Sequence, residues 1–440
     1  MLKTLRNAFK IKDIRKKLLY TFAMLVVIRI GSQLPIPGVE TAFFKDFFAQ
    51  QNNDAFGFFN ATTGSSFTNM SVFALSITPY ITSSIIMQLL TIAIPKLEEM
   101  QRDGEDGRKK IAEYTRYVTV ALALIESIAM AIGFGGQGLL SEFNAISVII
   151  AVVTMTAGSA LLMWIGERIT ENGVGNGISI VLLFNIISSL PSDASTLYTR
   201  FMSGKSVAVS AVAAIIIVAI VIAIVVFVVV LQDGERRIPV QYSKKMQGRK
   251  MVGGQSSNIP LKVNTAGVIP VIFASSIMSF PVVIAQFFGS RINYDSIGGH
   301  ILLMLNSSNW FKPERPVYSI GMVIYIALII VFAYFYTSIT FNPLEVANNM
   351  KKSGGFIPGI RPGKPTSDYL NSILNYVVFI GACGLTIVCI IPIMVSGLFN
   401  VSRLSFGGTS LIIIVSVVLE TIKAIESQML VRYYKGFLND

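Results

Sequence analysis

Side chains able to do chemistry are scarce in this chain, and their surroundings limit them. The lone histidine is His300, and the two cysteines, Cys383 and Cys389, share one apolar run. Neither forms part of a metal-ligand spacing or a disulfide framework, so the cysteines read as packing residues. Few charged residues fall inside or at the edge of apolar runs, among them Arg29, Glu126 in "ALALIESIAM", and Glu420. An ionisable group at membrane depth is costly and usually functional. Arg29, near the end of its run, reads as a snorkelling residue, and Glu420 as interfacial. Glu126 reads either as a working group or as a buried carboxyl bonded to a neighbouring helix. Gln88 and Asn264 are amides near the ends of two further runs. "GFGGQG" at Gly133 fits a dinucleotide fingerprint but follows no strand. "GIRPGKPT" at Gly359 has the wrong spacing for a phosphate loop, with Pro365 where a hydroxyl is needed. No string of carboxylates crosses an apolar run, so a proton relay, a metal centre, a cofactor and an enzymatic role are not expected.

The remaining polar signal is made of hydroxyls. "SITPYITSSIIMQLL", residues 76–90, carries Thr78, Pro79, Thr82, Ser83 and Ser84 within an apolar run at 70–94. A helix rich in such groups packs closely against neighbours or lines a wet cavity. The plainer alternative is that the hydroxyls only satisfy the backbone around Pro79.

The elements that must position these groups follow from composition. The chain has 440 residues, 53% hydrophobic and 14% charged, against about 25% charged in typical soluble domains. A helix crosses a bilayer with about 20 apolar residues. Apolar runs at 18–34, 70–94, 117–134, 145–165, 178–190, 207–231, 266–288, 317–341, 373–398 and 408–425 make ten expected spans, the fifth short. An even number puts both termini on one side. Lysines and arginines crowd the N-terminus, the loops after spans two, four, six and eight, and the C-terminal tail. The positive-inside rule makes that side cytoplasmic. Topology therefore accounts for most of the net charge of +12 without nucleic acid. No cleavable signal peptide is expected, because the first apolar run continues into "RIGSQLPIPG" without a small-residue cleavage site.

An internal repeat divides the chain. With Pro79 and Pro270 aligned, "ITPYITSSIIM" matches "VIPVIFASSIM", pairing Ile81 with Ile272 and Ser84 with Ser275. "NGISIVLLF" from Asn176 matches "GGTSLIIIV" from Gly407, pairing Leu182 with Ile413. The matches open spans two and seven, and five and ten. Five spans per half force the second half upside down, the inverted-repeat plan whose working site lies between the halves near the midplane. On span two, Phe73, Ile77, Ile81 and Ile85 fall on one helical stripe.

Two long loops on the basic side, 232–265 and 342–369, mix basic residues with Gly and Pro. "RRIPVQY" and "GGFIPGIRPG" within them read as ordered docking surfaces, for RNA phosphates or an acidic protein face; a pure topology signal needs only the charges. On the other side "FGFFNATTGSSFTN", residues 56–69, is too short to span. It reads as a re-entrant element, tolerated only where protein or water covers it.

These residues carry a resemblance. "GERITENGVGNGISI", "RRIPVQYSKKMQGR", "LKVNTAGVIPVIFASSI", "NPLEVANNMKKSGGFIPGIRPG" and "FGGTSLIIIV" resemble, in order and over the full length, the SecY/Sec61-alpha family of protein-translocase channel subunits. The resemblance implies an all-α polytopic membrane protein of about ten transmembrane helices. Two inverted five-helix halves, 1–190 and 207–440, would surround a central hourglass pore, joined by an external hinge loop at 191–206. It implies a pore ring of Ile81, Ile85, Leu182, Ile186, Ile272 and Ile413, with leucine at 182 where some members have isoleucine. A re-entrant plug helix near 56–69 would include Phe58, Phe59, Gly64 and Phe67. A lateral gate would part spans two and three from seven and eight, with Gln88, Glu126 and Asn264 as its polar contacts. Arg236, Arg237, Lys244, Lys245, Arg249, Lys250 and Arg361 would dock the ribosome and the SecA motor ATPase. Further implied partners are the SecE and SecG subunits, signal sequences and nascent chains, anionic lipids and other membrane insertion factors. The implied location is the bacterial plasma membrane. A secondary transporter and an intramembrane enzyme are the competing readings. The first lacks charged midplane groups among the aligned aliphatics, and the second lacks a catalytic constellation.

Overall fold

The structure, a computed structural model, describes residues 6, 8–41, 63–204, 206–242, 245–247, 250–252, 256–287, 296–311, 316–399 and 408–436. The helices are α1 (Lys12–Gly31), α2 (Thr78–Ala93), α3 (Pro95–Arg102), α4 (Glu105–Phe134), α5 (Ala145–Asn172), α6 (Gly177–Phe201) and α7 (Val207–Asp233). After a strand segment come α8 (Ile269–Phe287), α9 (Ile297–Leu305), α10 (Ile320–Thr340), α11 (Pro343–Lys352), α12 (Lys364–Phe399) and α13 (Gly408–Gly436). Each of the ten apolar runs contains one of these helices. Six helices are long and apolar enough to cross a membrane, and the pair α2–α3, bent by 106°, adds a seventh if taken as one span. The protein is therefore a multi-pass membrane protein. α1 begins among lysines and α13 carries Glu420 and Lys423, which separates them from the clear spans, while Ile269–Val282 in α8 is apolar but short.

Two sequence expectations are corrected. The run at 70–94 is not one helix. Residues 64–77 run as turns, with Ser65, Met70 and Ser76 at positive φ, and α2 begins at Thr78. Pro79 sits in its first turn, where a missing N–H costs nothing. The supposed mid-span proline is a start signal. Second, the hinge loop expected at 191–206 is mostly helix. α6 continues through Pro191 to Phe201, so the fifth span is not short, and Ser203 closes the helix end through Tyr198 O. Proline removes one intrahelical bond and leaves the rest of the ladder available.

The helices pack in two groups. α1, α2, α4, α5 and α6 contact one another, as do α7, α8, α10, α12 and α13. The principal contacts between the groups are α6 with α13 and α4 with α8. On α5, Gly158 lets the turn segment approach, since a Cβ there would strike the Val72 carbonyl.

The two long basic loops build one object. β1 (Glu235–Tyr242) pairs antiparallel with β4 (Ser256–Lys262) and with β5 (Gly355–Phe356), giving sheet order β4-β1-β5. β2 (Lys245–Gln247) and β3 (Lys250–Val252) form a second small hairpin. Beneath β1, Ile238, Val240 and Leu261 pack on Met350 of α11, Ile357, and Leu370 of α12. Leu370 is fully buried there. Leu370→Ala should cost about 2–5 kcal/mol of platform stability by opening a cavity. The measurement is tryptic cleavage at the exposed arginines of the sheet, which should accelerate while the membrane helices stay protected.

Candidate functional site

The strongest candidate lies where the two helix groups meet. One apolar cluster contains Phe73 and Ile77 from the turn segment and Ile165 and Ile169 from α5. It also holds Leu182 and Ile186 from α6, and Ile413 and Val417 from α13, with Ile81 of α2 and Ile272 of α8 packed against it. Five of the six expected ring residues are thus brought together; Ile85, half-buried on α2, stands outside the cluster. Ile186 and Ile413 are buried, whereas Ile81 and Ile272 remain half-buried. The stripe read as helical from Phe73 to Ile85 is helical only from Thr78, yet Phe73, Ile77 and Ile81 still converge.

The hydroxyls of the opening motif are used between elements. Ser83 Oγ donates to Thr115 O on α4 at 2.7 Å, so this face of α2 packs closely against a neighbour. Ser76, just before α2, is the centre of a second set. Its carbonyl accepts from Ser159 Oγ of α5 at 3.1 Å, and its hydroxyl accepts from Asn185 Nδ2 of α6 at 3.0 Å.

Of the expected plug residues, Phe58 and Phe59 lie outside the described residues. Gly64 and Phe67 lie in the run of turns, so a plug helix is not seen at 64–69. Phe67 is buried in a cluster with Met70, Met130, Phe134 and Met155. Gly64 is at φ +62°, and a Cβ there would press on Ser188 Oγ and the Asn185 backbone. Arg29 corrects its reading as a snorkelling residue. It points inward, donating to Gly64 O at 3.2 Å and to Ser188 Oγ at 3.3 Å. Asn185 and Ser188, with Ser159, were missed in the sequence. Their signal was there: Asn185, Ser188 and Ser189 recur at helical spacing inside an apolar run.

The expected gate residues are not brought together. Asn264 is buried, and its side-chain amide donates to Gly267 O within its own turn at 3.0 Å. Glu126 is half-buried on α4 and Gln88 is exposed on α2. The helices themselves do meet, since α4 touches α8.

On the platform, Arg236, Arg237 and Arg361 are exposed. Arg237 pairs with Glu235 at 2.6 Å, and Thr366 Oγ1 donates to Arg361 O at 2.8 Å, pinning that turn. Lys245 and Lys250 belong to the small hairpin, while Lys244 and Arg249 lie outside the described residues.

A seam lined by apolar side chains is hard to wet. Replacing Ile81 and Ile272 together with Asn should make it wet. Ion conductance of the protein alone in planar bilayers should rise several-fold over the parent; no rise in a folded double variant would count against a sealing role.

Residues 71–422 match the sequence model of the SecY family. The protein translocase subunit SecY of Streptomyces galbus is 43% identical over 453 residues, covering 100% of both chains. A solved structure described as that of a protein-conducting channel superposes with a TM-score of 0.62 at 19% identity, covering 94% of this chain and 93% of its own. Sec61 from a canine ribosome–channel complex of the endoplasmic reticulum gives 0.60 at 18% identity, with the same coverage. These two structures share the fold of this chain.

Proposed function

The chain belongs to the SecY family, and we propose on that premise that it is the central subunit of a protein-conducting channel. The observation that carries this reading is the aliphatic cluster joining both helix groups. Ile81, Leu182, Ile186, Ile272 and Ile413, with Ile85 beside them, form the ring through which an unfolded secretory polypeptide passes. Such a ring resists ions yet yields to a chain, because contact with it asks for no particular hydrogen bond. Turn residues 63–69, with Phe58 and Phe59 before them, act as the plug. The α4–α8 contact is the lateral gate through which apolar segments leave for lipid, with Gln88 and Glu126 beside it. Asn264 orders the turn that leads into α8.

The termini and the platform face the cytoplasm of a bacterial cell, as the distribution of lysine and arginine supports. Arg236, Arg237, Lys244, Lys245, Arg249, Lys250 and Arg361 receive the SecA motor ATPase or the ribosome, and the same basic side attracts anionic lipids. SecE clamps the halves and SecG joins at the periphery, while signal sequences, nascent chains and other insertion factors meet the gate. The chain itself does no catalysis; the driving energy comes from the partner.

The test is transport into vesicles bearing the reconstituted complex, with the motor ATPase and a secretory precursor. The parent should protect the precursor from external protease in an ATP-dependent way. Arg361→Glu should lose most of that transport while cysteine labelling from each side reports an unchanged topology, since one charge weighs little in the summed bias. Normal transport by that variant, or an inverted loop, would refute the docking role. No transport by the parent complex would refute the channel reading.

A further inference from the structure

Arg29 stands in the last turn of α1, half-buried. It makes no ion pair with a described residue, and both its recorded bonds go to neutral acceptors, Gly64 O and Ser188 Oγ. The three groups come from α1, the turn segment and α6. Ser188 Oγ passes the link on by donating to Asn185 O at 2.8 Å. Asn185 in turn holds Ser76 Oγ, and Ser159 holds Ser76 O. The segment is therefore tied at its start through Gly64 and at its end through Ser76, with Phe67 and Met70 buried between.

We propose that Arg29 is a latch that seats residues 63–77 and lets them go by exchanging one backbone carbonyl for another. Guanidinium carries five donors in a fixed fork and does not deprotonate. In a sealed, dry interior a donor that loses its acceptor pays the full desolvation cost, so Gly64 is held. Once water or an extended polypeptide fills the space, the donors find equal acceptors in water or in the peptide carbonyls of the passing chain, whatever its sequence. The bond then holds strongly when the path is shut and weakly when it is occupied. The passing chain belongs to the channel reading above, on which this part rests; the seating of the segment does not depend on it.

Thr68, half-buried in the same segment, supplies the reporter. Thr68→Cys protein in lipid nanodiscs is treated with a polar maleimide, and the initial labelling rate is measured against a background lacking that cysteine. Adding Arg29→Leu should raise the rate about tenfold, the change made by ~1.4 kcal/mol of lost bonding. Arg29→Lys, which keeps the charge but not the fork, should fall between. Ser188→Ala should give a smaller rise. An unchanged rate in folded Arg29→Leu protein overturns the latch. If that variant does not fold, Ser188→Ala decides, and an unchanged rate there overturns it equally. Faster labelling in a complex whose parent transports no precursor would support the latch while refuting the channel.

Discussion

A backbone that runs as turns among packed membrane helices must find its hydrogen bonds in protein, because lipid offers none. Residues 64–77 do this, and much of the N-terminal helix group is arranged around them. Ile36 N donates to Met70 O, Val72 N to Leu34 O, and Ser71 N to Ser66 O. The first two of these bonds fix the chain leaving α1 against the segment. Side chains add to this: Arg29 of α1 and Ser159 of α5 donate to the Gly64 and Ser76 carbonyls, and Asn185 of α6 donates to the Ser76 hydroxyl. Gly158 on α5 has no side chain because the Val72 carbonyl occupies that place. Gly158 and Ser159 of α5 and Asn185 of α6 thus serve one irregular stretch.

With those polar demands met nearby, the cluster at the seam between the helix groups can be built of apolar side chains. Lipid tails are as apolar as leucine, so parting two aliphatic faces in a membrane carries little hydrophobic cost. Parting a hydrogen bond there would leave a donor exposed. Asn264 illustrates the distinction. Its amide is spent on Gly267 O inside the turn that leads into α8, so a movement of α8 away from α4 carries the bond along intact. Ser83 likewise binds α4 from α2, which keeps those two helices together as a unit when α8 moves.

Much of this was legible in the residues. Each expected span overlaps a helix, and alignment of Pro79 with Pro270 paired Ile81 with Ile272, which do pack against one cluster. What was misread has physical reasons. Pro79 in an apolar run looks like a kink, but a proline also suits a first helical turn, and hydropathy cannot tell the two apart. Pro191 looks like a stop, yet α6 runs through it. Arg29 looks like a snorkelling residue because position along a helix says nothing of what approaches its face. The Gly64 carbonyl that holds it is 35 residues away in the chain, and Ser188 is 159 away. Polar side chains are similarly silent: Asn264 and Glu126 suit opposite sides of a gate, but only geometry reveals that Asn264 bonds its own turn.

The platform gives the seam its mechanical setting. β1 continues from α7, β4 leads to α8, and β5 lies between α11 and α12, so every attachment of the sheet belongs to the C-terminal helix group. Lys423 of α13 reaches Asp233 at the end of α7 at 2.6 Å, drawing the last helix to the same base. A partner docked on the sheet, as proposed above, would load that group as a body. The apolar core under β1 transmits the load, because close-packed interiors shift rather than compress. The N-terminal group resists through its own bonds to residues 64–77. The principal contacts able to give are then α6 with α13 and α4 with α8. The α6–α13 contact contributes Leu182, Ile186, Ile413 and Val417 to the seam cluster.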